Sequence, residues 1–426
     1  MKNFWHIILI TILLTGLLLP GYTQNPTSAR SAGMSYSNLA DSRGVAHLGG
    51  NPANLALKTS YNFEMNLLSL QLNAFNDSFS KELYDQYLTT GEKLTPADKA
   101  TLLNAISSSG IGLNFAGQMT TLAFYLPNFS LSLGLTGGGR AALPREIAEI
   151  ALNGNNDLDR TYHFSNLSGE SWAGLSAAVS FSIPFKAGIF PLFDFAAAGF
   201  SGKYLNGLAY FEIEESSGYL QNVGFEHEFL KLDGLVLART ARGGSGFAAD
   251  FGFIGQRGNW TVGLSFSNLS GSINWTNQTE ARFYSVQGDS LMINEDGFNE
   301  DLIIDRDSTY AIGSFKTSLP VVFNFGIAYK PFRKLTITSA LQKGSANRMG
   351  ISNKLRFSLG TELRYIPLLP VRAGFATGGA YGISSSLGFG LDLKFWHVDA
   401  AIINHGGFSS KKSKGIGLAF SSSFRF

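Results

Sequence analysis

From about residue 61 to its end, the chain repeats one pattern, with apolar residues at every second position facing small or charged ones. Ile416, Leu418, Phe420, Phe424 and Phe426 alternate with Gly417, Ala419, Ser421, Ser423 and Arg425. Leu387, Phe389, Leu391, Leu393 and Phe395 stand against Gly388, Gly390, Asp392 and Lys394, and Val321, Phe323, Phe325, Ile327 and Tyr329 against Asn324, Gly326 and Ala328. Leu355, Phe357, Leu359, Leu363 and Tyr365 oppose Arg356, Ser358, Gly360, Glu362 and Arg364 in the same way. A period of two marks strands, because successive side chains point to opposite faces of a sheet. Soluble sandwiches alternate too. Segments of about ten residues with aromatics near their ends, however, fit the lipid-facing strands of a membrane barrel.

The connections give an independent reading. Tight Pro or Gly turns fall at Pro127-Asn128, Pro184 to Pro191, Arg257-Gly258-Asn259, Pro331 to Lys334, Pro367 to Pro370 and around Trp396-His397. Longer excursions lie between them, at about 74–110, 139–170, 214–225, 276–317, 344–352, 377–382 and 406–413. Short turns on one side and long loops on the other are the barrel arrangement. They predict an all-β fold, a 14-stranded antiparallel transmembrane β-barrel, with strands near 61–73, 111–126, 129–138, 171–183, 193–213, 226–255, 258–275, 318–330, 333–343, 353–366, 370–376, 383–395, 398–405 and 414–426.

Two loops carry helix signals. Thr95-Pro96-Ala97-Asp98 reads as an N-cap, Pro at the first helical position and an acid at the third, opening a helix with Leu102, Leu103 and Ile106 that stops before Gly110. A second begins at Pro144, aligns Ile147, Ile150 and Ala151, and ends by Asn153-Gly154. Short helices in the extracellular loops either form a hydrophobic landing groove from Leu102, Leu103, Ile106, Ile147 and Ile150 or merely cover the barrel mouth. The stretch from Thr276 to Thr317 holds eight acids without calcium-loop spacing, which favours a solvated surface over a cation site.

Composition narrows the class. Charged residues are 15% of the chain, against roughly 25% in ordinary soluble domains, while 13% are aromatic and 49 are Gly. The absence of Cys excludes a disulfide scaffold, a thiolate zinc site and a Cys-based lipid anchor. A net charge of +2 gives no reason to expect nucleic acid. Residues 1–23, with Lys2, an apolar run from Ile8 to Leu19 and Pro20-Gly21-Tyr22-Thr23, read as a secretory signal peptide; the run is too short for a spanning helix. No later segment is long and apolar enough to span as a helix, and a chain that enters a membrane without one must do so as a closed barrel.

Ahead of the first strand lie Ala29-Arg30-Ser31-Ala32-Gly33-Met34-Ser35, Leu39-Ala40-Asp41 and Gly49-Gly50-Asn51-Pro52-Ala53-Asn54-Leu55, a small and polar stretch that cannot fold alone. This stretch, with the leader, the strand count and the terminal Phe426, resembles the FadL-like superfamily of outer-membrane barrels, including the PorV-like branch. The resemblance implies an N-terminal plug, or hatch, over residues 24–60 inside a barrel over 61–426. It departs from the family pattern at Ser35-Tyr36-Ser37, where a Gly-Gly pair is frequent. Gly33, Asn51, Pro52 and Ala53 are then plug or gate residues. Pro52 fixes φ and the Asn51 side chain can close a turn, which suits a rigid corner locked to the wall or a gate that moves. Phe424-Arg425-Phe426 is similar to the aromatic C-terminal signal read by barrel-assembly machinery.

Catalytic motifs are missing: there is no Gly-x-Ser-x-Gly, no His-Glu-x-x-His, and the Gly-rich pieces Gly134 to Gly139 and Gly243 to Gly246 lack a phosphate-loop ending. His405, near Asn404, Ser409 and Ser410, offers only a distant likeness to a lipase set, and His47 and His163 read as ordinary hydrogen-bonding residues. No catalytic residue, metal or cofactor is expected. The resemblance implies an outer-membrane channel of a Gram-negative-type bacterium for hydrophobic small molecules or lipids, such as long-chain fatty acids or aromatic hydrocarbons. The alternative is a PorV-like scaffold that holds secreted proteins, with secretion-system proteins as partners. Asp392, Lys394, Glu362, Arg364, Arg356 and Arg425, on the small face, are expected to pair across strands in the lumen.

Overall fold

The computed structural model describes residues 27–154, 160–186, 188–224, 228–294, 297–298 and 303–426. The leader lies outside the described residues. Fourteen antiparallel strands close into a barrel. They are β1 (Glu64–Asn76), β2 (Ile111–Leu126), β3 (Phe129–Leu143), β4 (Ser168–Pro184) and β5 (Phe195–Gly224). Next come β6 (Glu228–Ala241, continued by Gly244–Arg257), β7 (Trp260–Trp275, continued by Glu280–Asn294) and β8 (Ile303–Ala311, Phe315–Ser318 and Val322–Phe332). The remaining strands are β9 (Leu335–Gly344), β10 (Arg356–Leu363), β11 (Val371–Gly378), β12 (Ser384–Asp392), β13 (Trp396–His405) and β14 (Gly415–Arg425). Each pairs with its sequence neighbour, and β14 pairs with β1, Glu64 opposite Arg425. Among the described residues no helix is long and apolar enough to cross a membrane.

The alternation determines what each face meets. Along β12, Ser384 and Ser386 are buried inward while Leu387 and Phe389 stand outward, 52% and 60% exposed. Leu131, Leu133, Val179, Phe181, Phe200, Phe323, Ile337, Leu359, Leu418 and Phe420 continue an apolar outer surface around the circumference. Such a contiguous apolar belt is not an ordinary watery surface.

The barrel is much taller on one side. β5 runs for 30 residues, roughly 100 Å at strand rise, and pairs with the outer part of β6, which pairs with that of β7 and then β8. Two stretches expected as loops, 214–225 and 276–317, are therefore largely strands of a projecting ribbon. The sequence hid them because both faces of this ribbon meet water, so apolar alternation, which needs one buried or greasy face, disappears. Of its acids, Glu295, Asp296, Glu300 and Asp301 fall outside the described residues. The turn expected around Trp396-His397 sits slightly earlier, since Trp396 already opens β13. The helices follow their caps: Pro96–Asn104 has Thr95 and Asp98 in a reciprocal capping box, and Arg145–Asn153 ends on Gly154 with φ 75°.

Candidate functional site

Small residues on the inner wall leave room for chain, and residues 27–57 occupy it. The helical turn Ala29–Gly33 packs on β11 to β14, and the turn Pro52–Ala56 on β4, β5 and β6. The segment lies directly against the wall backbone. A Cβ placed on Gly388 would lie 2.9 Å from the Gly33 Cα, and one on Gly326 would lie 2.8 Å from the Leu39 Cβ. Gly374 and Gly360 abut Met34, Gly263 abuts Ala40 and Asn51, Gly252 abuts Asn51, and Gly199 abuts Ala53. From β5 to β12 a belt of inward glycines thus receives the segment; β9 takes part through Thr338, hydrogen-bonded to Ser37 at 2.6 Å. Gly326, Gly360 and Gly388 were visible in the sequence as members of the small face, but not that the segment rests on them.

At the end where β1 begins and β14 finishes, an ion-pair knot fastens the same segment. Arg30 meets Asp41 at 2.7 Å and Glu362 at 2.8 Å; Glu362 also meets Arg372 at 2.6 Å and Arg364 at 3.0 Å. Arg372 continues to Asp399, Arg364 to Asp392, and Lys330 returns to Asp41. Burial acts to raise the Asp41 carboxyl, but Arg30, Lys330 and Arg43 hold it below its ordinary range. Buried ions survive when each is paired and hydrogen-bonded; every ion of this knot is paired, although the Arg372 Nη2 is buried without a partner among the described residues. A second knot centres on Glu64, which accepts from Arg425, Ser423, Tyr61 and the Val45 backbone. The expected pairing of inward charges holds for Glu362, Arg364, Asp392 and Arg425. Lys394 lies in the turn between β12 and β13, and Arg356 faces inward without a carboxylate among the described residues.

The Asn51-Pro52-Ala53 corner is rigid. Asn51 accepts from the Ala53 N–H at 3.0 Å and donates to the Phe253 carbonyl at 2.9 Å, tying a local turn to the wall. His47 donates through Nδ1 to the Gly44 carbonyl and accepts from Ser130 at Nε2. Burial pushes its imidazole down to about 4, against the smaller upward pull of the Gly44 carbonyl.

The loop end is closed differently. The β9–β10 connection dips inward, and Met349, fully buried with φ 53°, packs among Trp172, Tyr210, Trp275 and Leu319. Its N–H donates to Glu170 at 2.8 Å, and its carbonyl accepts from the Trp172 indole at 3.2 Å. Of the expected groove, Leu102 and Ile106 are buried, at 1% and 2% exposure, whereas Leu103, Ile147 and Ile150 are half-buried. His405 bonds neither Ser409 nor Ser410; its ring joins Ser384 Oγ at 3.0 Å and Asn73 Oδ1 at 2.9 Å. Ser384, His405 and Asn73 are all nearly inaccessible and Tyr381 stacks on the imidazole at 4.2 Å, leaving no approach for an acyl group.

Two hollows meet across the wall at β3, β4 and β5. The inner one, of ≈ 90 Å³, lies between His47, Gly50 and Pro52 and the wall residues Gln118, Thr136, Ser180 and Lys203. Lys203 pairs there with Asp250 at 2.6 Å. The outer one, of ≈ 610 Å³, is apolar and lined by Leu122, Leu131, Val179, Tyr204 and Phe247. Ser132, Leu133, Ala178 and Lys203 border both.

Comparison with solved structures places the barrel among FadL-type folds. The toluene transporter TodX of P. putida matches with a TM-score of 0.54 at 14% identity, over 96% of this chain and 99% of that one. The toluene transporter TbuX of Ralstonia pickettii gives 0.53 at 14% identity over 96% and 100%, and a FadL homologue of Pseudomonas aeruginosa 0.50 at 12% over 94% and 98%. At these identities the likeness is one of fold. The PorV-like branch is not distinguished by these matches. No curated protein matches the sequence. Residues 52–241 and 224–402 match a family of unknown function, DUF5723, and since they span most of the chain, it belongs to that family.

Proposed function

We propose that the protein is an outer-membrane channel that admits small hydrophobic molecules, with residues 24–60 as a fixed plug and 61–426 as the transmembrane barrel. The apolar outer belt supports a place in lipid, and a leader over residues 1–23 with Phe424 and Phe426 as assembly signal would deliver the chain there. The observation that carries the reading is the pair of hollows back to back at β3 to β5. A molecule entering past the loop-end aromatic cluster needs an exit, and the plug is bound too tightly by the glycine belt and the ion-pair knot to provide one. Lateral release beside Ser132, Leu133 and Ala178 delivers a hydrophobic solute directly into lipid. The structures of similar fold include toluene transporters, which agrees with this cargo class.

Purified protein in lipid vesicles tests the reading. Toluene entry, followed by quenching of a trapped fluorophore, is expected to exceed that of protein-free vesicles and to fall on Ala178→Trp, which fills the border between the hollows. Equal rates with and without the protein would remove the proposal.

A further inference from the structure

We propose that Arg356 anchors a lumenal binding site for aromatic carboxylates. This deepens the channel reading by naming a substrate class and rests on it only for how the ligand arrives.

Arg356 opens β10 and points inward beneath the loop end. Along the same face Glu362, Arg364 and, on β11, Arg372 are ion-paired, but among the described residues Arg356 meets no carboxylate. Its guanidinium donates to the Ser35 carbonyl at 2.9 Å and lies over the Tyr36 ring, 5.2 Å from the centroid. A guanidinium has five donors in a planar fork suited to a carboxylate, and a peptide carbonyl engages one edge of it. Holding such a charge largely out of water without a counter-ion is costly, so the site is electrostatically incomplete as it stands. Arg356 is partly exposed to the lumen, as is Tyr381.

The surroundings specify the rest of the ligand. Tyr381 stacks on His405 at 4.2 Å and meets Phe75 edge-on at 5.6 Å. Tyr36 lies against the cation and Tyr381 is near enough to act on its charge, so two phenol rings flank the guanidinium. His405, itself nearly inaccessible and with both nitrogens engaged by Ser384 and Asn73, backs Tyr381 without meeting the ligand. An arene bearing one carboxylate matches both features: the acid to the guanidinium fork, the ring among rings.

A second, independent observation is the charge above the site. After Asp307 the chain carries 15 Lys and Arg but 3 Asp and Glu, a local net of +12 in a chain whose total is +2. Those three acids, Glu362, Asp392 and Asp399, all belong to the knot at the opposite end. The loops 345–355, 379–383 and 406–414 contain Arg348, Lys354, Lys411, Lys412 and Lys414 and no acid of their own; Arg348 is paired with Glu170 and Glu212, and the segment with Asp77, Glu82 and Asp85 packs on 411–414. An excess of one sign in this part of the rim favours the approach of ions of the other.

The test is equilibrium binding to the purified full-length protein in neutral detergent, with benzoate and its neutral counterpart benzyl alcohol as probes. A charge-assisted hydrogen bond to a buried guanidinium predicts benzoate tighter by about tenfold or more. Arg356→Gln should abolish that preference, Arg356→Lys should keep part of it, and added salt should weaken benzoate alone. Tyr381→Leu, which leaves the charge in place, should weaken both probes together. Heat-modifiable migration on gels verifies that each variant is a folded barrel. Equal binding of both probes by the parent protein, no binding of benzoate, or a preference that survives Arg356→Gln would each overturn the assignment. Toluene passing through vesicles while benzoate fails to bind would overturn this site and leave the channel reading standing.

Discussion

Gly33 and Gly388 touch so closely that a Cβ on Gly33 would stand 2.8 Å from the Gly388 Cα. Neither partner can yield by rotating a side chain, because backbone meets backbone. Gly33→Ala is expected to lift the first turn of the plug from β12 and lower stability by about 1–3 kcal/mol, the usual cost of overpacking. Limited proteolysis within residues 27–60 should accelerate in the variant and not in an alanine variant at Gly202, whose Cβ would meet open space.

The Arg30–Glu362 contact predicts an asymmetry between single and double substitution. Glu362→Gln leaves the Arg30, Arg364 and Arg372 guanidiniums short of a shared counter-charge, and removing one partner of a buried pair costs about 3–5 kcal/mol. Arg30→Met with Glu362→Gln should recover part of that loss. Urea titrations in detergent give the coupling; strictly additive losses would show that the two side chains act independently.

His47 makes plug seating depend on pH. Its imidazole titrates at about 4 in place, against 6.5 when free. Above pH 6.5 both states are neutral and seating is at full strength. As the pH falls from 6.5 towards 4 the released segment gains a proton first, and about 3 kcal/mol of seating free energy is lost. Asp41, whose carboxyl is held low, loses its contribution only below the ordinary carboxylate range. Amide exchange of residues 44–57 should quicken between pH 7 and 4.5 in the parent protein and much less so in His47→Gln.

If the plug is a fixed wall fitting, locking it should leave transport intact. Ser35 and Ser386 share a hydrogen bond at 2.8 Å, and the chain contains no Cys. The Ser35→Cys, Ser386→Cys pair can therefore be oxidised without competing thiols. Toluene flux should be the same before and after oxidation; a flux that stops on oxidation and returns on reduction would make the plug the gate.

Met349 is expected to set the resistance at the loop end. Met349→Gly relieves a left-handed backbone, which costs a side-chain-bearing residue roughly 1 kcal/mol, and empties the space among Trp172, Tyr210 and Trp275. Flux should rise, with Trp fluorescence shifting as the ring cluster becomes wet.

Much of this architecture was legible in the chain. Alternation and turns located fourteen strands, and Thr95, Pro96 and Asp98 located a helix, because these signals act within a few residues. The ribbon beyond the rim was missed because strands wetted on both sides lose the apolar half of the pattern. The glycine belt was readable only as smallness: Gly388 and Gly360 gain their meaning from Gly33 and Met34, more than 300 positions earlier. Arg356 is instructive in the opposite sense, since its place on the charged inner face predicted a carboxylate partner, and none of the described residues provides one.

The barrel shuts where Glu64 meets Arg425, a contact spanning 361 positions along the chain. Nearly the entire polypeptide must be made before that seam can form, so closure comes last and is slow in the manner of all long-range pairings. The N-terminal segment is tied to the same seam, since the Val45 N–H and Arg425 share the Glu64 carboxylate. A nascent chain cut before β14 would expose two unpaired edges and strand an internal acid, and is expected to be cleared by proteases rather than inserted.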